Sequence, residues 1–399
     1  MIDLEIKQKI DCTGCYACFN ICPKNCIEME NDYEGFWYPK VDSNECIKCE
    51  QCIRVCPILN KTIVENEPMA YACYNKDENI RINSSSGGIF TLVAEEIINR
   101  GGVVFGVGFD EDFNVAHSYV ESYGELDRFR GSKYVQSKIG DTFKQAKDFL
   151  DQGREVLFTG TPCQIAGLKS YIGKDYNNLF CMDNICHGVP SPKVWRKYVD
   201  FRERKSGSKV QRISFRLKDE GWKRYSVSFL FENNTEYRDN LRNDFYMRAF
   251  LKDVCLRPSC YACEFKTLNR ESDITMADFW GIQRILPEMD DDKGTSLIFV
   301  NSPKGQAMIE KVKDKMIYKL VDIHQAVSFN SAAIKSVKLN PNRENFFEEL
   351  DELDFDKLVK KYCADKLSIR VKRKIITIGI FILKKTGTLN LVKSILRKN

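Results

Sequence analysis

The sequence predicts an α+β / α/β protein built in parts, and three observations predict it. Nine of its 17 cysteines crowd into the first 56 residues. From Met69 the texture changes to apolar runs alternating with amphipathic ones, the pattern of strands layered with helices. From Lys366 to Asn399 the chain holds ten Lys/Arg and no Asp or Glu. At 399 residues there is room for two or three domains of roughly 150 residues each. The expected divisions are 1–62, a cysteine module; 69–150 and 151–330, two parts of an α/β body; and 331–399, a helical extension ending in the basic tail.

Composition narrows the class. Hydrophobic residues make up 43%, enough for packed cores, and 29% charged residues argue against wholesale disorder. The net charge of +5 belongs to the tail; without it the body is mildly acidic, which excludes a nucleic-acid-binding body. The opening MIDLEIKQKIDC carries charges and no long apolar run, so the expected location is cytoplasmic. Thiols stay free there, and dense cysteines bind metal instead of pairing. In the tail, Ile375–Leu383 is an apolar run of nine residues, about half of the ~20 that span a bilayer. The tail reads either as a helix lying on the inner membrane face or as a helix docked on the body with a solvated basic side.

Residues 1–62 contain an internal repeat. Cys12, Cys15, Cys18 and Cys22 are followed by Pro23; Cys46, Cys49, Cys52 and Cys56 repeat that spacing 34 residues later and are followed by Pro57. Two-residue spacers wrap three thiolates around three corners of a four-iron cube, and the fourth thiolate of each run reaches the other cube. The expected ligand sets are Cys12, Cys15, Cys18 and Cys56 for one [4Fe–4S] cluster, and Cys46, Cys49, Cys52 and Cys22 for the other. Zinc sites take cysteines in pairs, so the plain alternative fits poorly. This is a ferredoxin-like dicluster module, and the protein is therefore expected to move electrons. Cys26 falls outside the spacing and reads as a buried thiol. Gly35–Pro39 reads as a strand or turn between the halves.

Along the body, Met69–Tyr74 reads as a buried strand, Ser84–Gly88 as a loop, Ile89–Arg100 as a helix and Val103–Val107 as a strand. Thr142–Gln152 is an expected helix, Glu155–Phe158 a strand, Ile165–Tyr171 a helix and Leu179–Met182 a strand. Alternation over 209–237 points to antiparallel strands around Glu220-Gly221-Trp222. Helical pattern returns at Asn243–Lys252 and after Gly305.

A second cysteine set is weaker. Cys260 and Cys263 form one Cys-x2-Cys pair, while Cys163 and Cys186 sit at ends of expected strands, where α/β sheets bind ligands. These four would hold a third [4Fe–4S] cluster. Cys255 is an alternative member, and Cys163 alternatively a reactive thiol at a helix start. Cys73, Cys181 and Cys363 lie in apolar runs and read as core. Clusters hand over single electrons, whereas most organic substrates take a pair, and a flavin converts between the two. Loops suited to its phosphates are Ser84, Ser85, Ser86, Gly87 and Gly88 before a helix, and Thr159, Gly160 and Thr161 before another. Ser132, Lys133 and Tyr134 add a cation and a ring, and Asp278 a carboxylate, unless that position is only a strand-end turn. His187, one of three histidines, stands beside Cys186 and is the candidate catalytic proton carrier, set against a purely structural role.

Taken together, Ser84–Gly88, Gly131–Tyr134, Thr159–Gln164 with Ile165–Leu168, Cys186–Gly188, Arg257–Phe265 and Asp273–Gly281 resemble the coenzyme F420 hydrogenase/dehydrogenase beta-subunit family. The resemblance implies a mixed α/β flavin-binding body, FAD as cofactor, and a third cluster on Cys163, Cys186, Cys260 and Cys263. It looks like the bacterial stand-alone members with a two-cluster N-terminus, which are often associated with cell-surface polysaccharide synthesis. The expected activity is an iron–sulfur/FAD oxidoreductase fed by ferredoxin or a similar donor, acting on a small-molecule or lipid-linked sugar substrate. The alternative is an electron-transfer subunit docking on a separate hydrogenase or dehydrogenase.

Overall fold

A mixed sheet of eight strands organises the body. The computed structural model describes residues 1–365 and Thr386, so the basic tail and its expected helix lie outside the described residues. In chain order the strands are β1 (Ile27–Asn31), β2 (Trp37–Val41), β3 (Met69–Asn75), β4 (Val103–Phe109), β5 (Val115–Val120), β6 (Val156–Gly160), β7 (Leu179–Asn184), β8 (Val210–Leu217), β9 (Ser226–Phe231), β10 (Glu236–Asn240), β11 (Ile274–Asp278), β12 (Ser296–Val300) and β13 (Met316–Val321). The large sheet runs β13-β3-β12-β11-β7-β6-β4-β5. Its centre, β4, β6, β7 and β11, is parallel; the strands outside it pair antiparallel. Parallel strands need cover on both faces, and the apolar run Val156-Leu157-Phe158 in β6, buried throughout, meets that need.

Two helical layers supply the cover. Ile89–Asn99 packs through Leu92, Val93 and Ile97 with Met308 and Ile309 of Pro303–Val312. On the other face Thr142–Asp151 and Pro162–Ile172 pack through Phe143, Ile165 and Leu168, and Cys15, Tyr16 and Val55 of the cysteine module join the same cluster. The module therefore sits on the sheet through a shared core.

Several expectations change here. The strand–loop–helix–strand reading of 69–109 holds element by element, but β3 and β4 are separated by β12, β11, β7 and β6, so they form no adjacent pair. The helix expected from Ile165 begins at Pro162, because Thr161 caps it and proline fits the first turn. Strands from both sides of residue 150 share one sheet, so the two expected parts make one body. Of the expected extension, Phe346, Phe347, Leu350, Phe355 and Leu358 enter the core formed by Pro192–Ser206 and the β8–β10 sheet. Among the described residues no helix is long and apolar enough to cross a membrane.

One buried ion pair ties the two ends of the described chain. Arg343 grips Glu34 two-pronged, at 2.7 and 2.6 Å, and also donates to the Leu256 carbonyl. Glu34→Ala strands a buried guanidinium and is expected to cost about 3 kcal/mol in denaturant unfolding of the iron-loaded protein.

Candidate functional site

The sequence repeat becomes a backbone repeat. Gly14 and Tyr16 have φ of 68° and 67°, and Lys48 and Glu50, 34 residues on, have 55° and 61°. These left-handed steps between cysteines curl each run around a centre before the short helices Ala17–Ile21 and Gln51–Arg54. Cys12, Cys15, Cys18 and Cys56 line one void, with Ile2 and Met29 as apolar wall. Burial, followed by the neighbouring thiols, pushes Cys15 up to about 12 and Cys18 well above its ordinary value. Thiolates crowded this way need a cationic centre to offset them, as an iron cube provides. Cys22, Cys46 and Cys52 gather around Ile27 and Cys26, while Cys49 lies half-buried between Lys48 and Glu50. Cys26 is more than a bystander: its sulfur lies 3.4 Å from that of Cys22. The spacing rule missed it because the rule looks only inside the repeat.

Cys163, Cys186, Cys260 and Cys263 converge on a second cavity. Helix Pro162–Ile172 starts beside Cys163, and the turn Pro258–Ala262 carries Cys260. Burial is the main cause that raises Cys163, and the charges of Cys263, Cys186 and Cys260 add to it. Lys266 sits against the set, its amine donating to the carbonyls of Cys186 and Ala332, and its charge partly offsets the burial of Cys186. Cys255 does not join. It is fully buried beside Cys363 in the core, as Cys73 and Cys181 are in theirs. Among the described residues no three His, Cys, Asp or Glu side chains close on a single point as one ion demands; these thiols ring cavities.

The two thiol cavities abut. Thr13 borders both. Arg257, fully buried, donates to the Cys12 carbonyl (2.8 Å), the Trp37 carbonyl (3.0 Å) and Gln136 Oε1 (3.1 Å). Gly167 explains itself by the same closeness: a Cβ there would meet the Cys15 sulfur at 3.0 Å.

Beyond the third set opens a cleft of about 540 Å³, well inside the usual range for small-molecule sites. It lies at the C-terminal ends of the parallel strands, reached by Val107, Gly160, Asn184 and Asp278. Cys186, His187 and Gly188 border both this cleft and the third thiol cavity. Of the loop residues read from sequence, Ser84, Ser85, Ser86, Gly88, Ser132, Lys133, Tyr134, Thr159, Gly160, Thr161 and Asp278 line it. Gly87 does not: its N–H donates to Ser296 Oγ, and a Cβ would meet the Cys73 carbonyl at 2.5 Å. The Ser84–Gly88 and Gly131–Tyr134 loops are joined by Ser132 N–H and Oγ, both bonded to Ser85 Oγ at 2.7 and 2.8 Å. Lys133 is a weaker cation than expected. Burial lowers it to about 7, and its amine is held by the Arg128 and Arg130 carbonyls.

His187 is oriented by Asp253, which receives its Nε2 proton at 2.6 Å, and it rests edge-on against Phe250. Asp278 is fixed by Arg216 and by the Trp222 indole N–H (2.9 Å), and Trp222 stacks on Trp280 at 5.0 Å. Asp278 closes β11, and it also lines the cleft. His117, unremarked in the sequence, donates from Nε2 to the Thr159 carbonyl at 3.0 Å behind the cleft loop and stacks on Phe158. Burial lowers it to about 4.

Comparison with known proteins follows this geometry. Residues 11–59 match the 4Fe-4S dicluster domain, and residues 153–326 match the C-terminal part of the coenzyme F420 hydrogenase/dehydrogenase beta subunit. Residues 153–326 thus carry a segment related to this beta-subunit family, behind an N-terminal dicluster domain. It is 25% identical over 210 residues to the F subunit of the F(420)H(2) dehydrogenase of Methanosarcina mazei, a match covering 48% of this chain and 58% of that one. Its module is 33% identical over 57 residues to the I subunit of the NADH-quinone oxidoreductase of Pelobacter propionicus, covering 12% of this chain and 31% of that one. The chain thus spans less than two-thirds of the length of either relative. Among solved structures, a chain of the F420-reducing [NiFe] hydrogenase complex from Methanosarcina barkeri aligns with a TM-score of 0.44 at 17% identity, covering 75% of this chain and 92% of that one. The comparisons thus give the chain an iron–sulfur dicluster domain followed by a segment similar to redox-enzyme beta subunits.

Two outcomes test the site. Gly167→Val drives a side chain into Cys15, and iron content should fall by about four atoms, matching Cys15→Ser. For His117, the unfolded chain takes up the proton first as pH falls through 6.5, so stability is lost between there and about pH 4. His117→Gln should flatten that acid loss, by about 3 kcal/mol at most, in unfolding measured against pH.

Proposed function

We propose that this chain is an iron–sulfur flavoprotein oxidoreductase that takes electrons from a low-potential donor, such as ferredoxin, and delivers them to an organic substrate in the cleft. The observation that carries the reading is contiguity: Thr13 joins the first thiol cavity to the third set, and Cys186–Gly188 join that set to the cleft. In this reading Cys12, Cys15, Cys18 and Cys56 hold one [4Fe–4S] cluster, Cys46, Cys49, Cys52 and Cys22 the second, and Cys163, Cys186, Cys260 and Cys263 a third.

The cleft fits FAD. Two helices of eleven residues, Ile89–Asn99 and Pro162–Ile172, begin at its rim, and their free N–H groups with Ser84, Ser85 and Thr161 suit a pyrophosphate. Tyr134, stacked on Phe250 at 4.9 Å, offers a flat apolar wall. When bound, the clusters supply single-electron transfer and FAD the exchange between single electrons and hydride. The chain's own residues set the conditions. Arg257 holds the module against the body, Lys266 offsets charge beside the third set, and the Asp253 carboxylate keeps His187 in place to exchange a proton with substrate.

A second reading draws on the similarity to part of a named dehydrogenase: the chain feeds electrons to a separate catalytic partner. Anaerobic turnover by the isolated chain rules it out.

Anaerobic reconstitution should give about twelve irons per chain and stoichiometric FAD. Cys163→Ser should lose about four of those irons and keep its flavin. Eight irons with no flavin overturns the proposal.

A further inference from the structure

Among the buried carboxylates that the mechanism leaves unused, Asp183 has an oxygen without a partner. Asp183, on β7, is 2% exposed, and its Oδ1 has no hydrogen-bond partner. It lies in the wall between two cavities. On one side is the cleft; on the other is a pocket of about 220 Å³ beneath the linker that leaves the cysteine module. The rim of this pocket is exposed, at Lys61, Thr62, Glu264 and Thr267, so water enters it. Its floor is polar, with half-buried Glu271, Arg270 and Asp183. Arg270 is buried, its Nε also lacks a partner, and its Nη1 stands 3.9 Å from Asp183 Oδ2. A pocket of that size, walled by unpartnered polar atoms, has room and partners for several waters.

We propose that Asp183 carries protons from the water of this pocket into the cleft, in step with the electrons that reach it. The inference rests on the cleft being a redox site. Charge balance motivates it: two electrons delivered to a buried group that ends as a hydride donor bring in at least one proton. The electrons come from the low-potential donor by way of the clusters. The proton leaves the carboxyl of Asp183 for the cleft, and the carboxylate left behind regains one from pocket water through Glu271. The groups facing Asp183 are Arg270, Glu271, Lys169, Ser272 and Thr275. Burial raises both Asp183 and Glu271, while Arg270 and Lys169 respectively hold them back, so each carboxyl can hold and release a proton.

The test uses the full, anaerobically reconstituted chain, reduced with electrochemically prepared methyl viologen radical, a donor whose oxidation releases no proton, in weak buffer with a fluorescent pH indicator. Wild type should take up protons as fast as the viologen radical is consumed. Asp183→Asn should slow proton uptake roughly a hundredfold, with cluster reduction seen by EPR unchanged. Glu271→Gln, at a half-buried site and therefore safer for folding, should slow it less, and Glu264→Gln at the rim should leave it unaltered. Wild-type uptake rates in both Asp183→Asn and Glu271→Gln overturn the relay. Flavin released from the same samples on denaturation separates the two ideas: its absence defeats the flavin reading, while equal proton-uptake rates defeat the relay.

Discussion

The arrangement depends on one buried cation. Arg257 is fully enclosed, and its guanidinium is satisfied by acceptors from three places: the Cys12 and Trp37 carbonyls of the cysteine module and the Gln136 side chain of the body. A small module rich in cysteine cannot fix its own orientation through a core of its own. Arg257 fixes it, aided by the Tyr38 ring 4.3 Å from the guanidinium carbon. Because Arg257 also opens the turn that bears Cys260, one side chain sets the separation of two thiol sets. Desolvating a guanidinium is costly, and the cost is offset only while every one of these acceptors stays in place.

What sequence could and could not show follows from the range of each signal. The cysteine spacing is local: a cube demands thiolates at short, repeated intervals, so Cys12 to Cys56 were legible. Most of the cleft was legible too, because helix starts after Ser/Gly or Thr/Gly loops are local features, and Ser84–Gly88 and Thr159–Thr161 do meet there except for Gly87. Strands β1, β5, β12 and β13 are not legible in the sequence. Each is five or six residues long, and Ser296–Val300, buried at every position, carries no alternation to betray it. Strand order was likewise hidden, since nothing in residues 69–109 tells that four other strands will lie between β3 and β4. Arg257, Lys266, Asp183 and His117 escaped because their roles come from contacts distant in sequence, as between Arg257 and Cys12.

Buried thiols and buried carboxylates make the same demand for positive charge, and this chain meets it in two ways. In the cysteine module, desolvation with neighbouring thiols behind it raises Cys15, Cys18 and Cys56, and a bound iron cube would offset that burial. Folding of the module and loading of its metal are therefore one process. Around the cleft the chain instead supplies fixed partners, Arg216 for Asp278 and Asp253 for His187, so that region is ordered by its own residues.

The left-handed positions that repeat every 34 residues are equal in geometry and unequal in setting. Gly14 is enclosed, and a Cβ there would strike Gln136 and Arg257, whereas its counterpart Lys48 stands in solvent; Tyr16 is buried and its counterpart Glu50 exposed. A symmetric motif has thus been given an inner and an outer half. The inner half packs against the body, and the outer half keeps its thiols half-exposed. That asymmetry leaves two copies of one loop under unlike constraints, the inner copy closed to any larger side chain and the outer copy open to change.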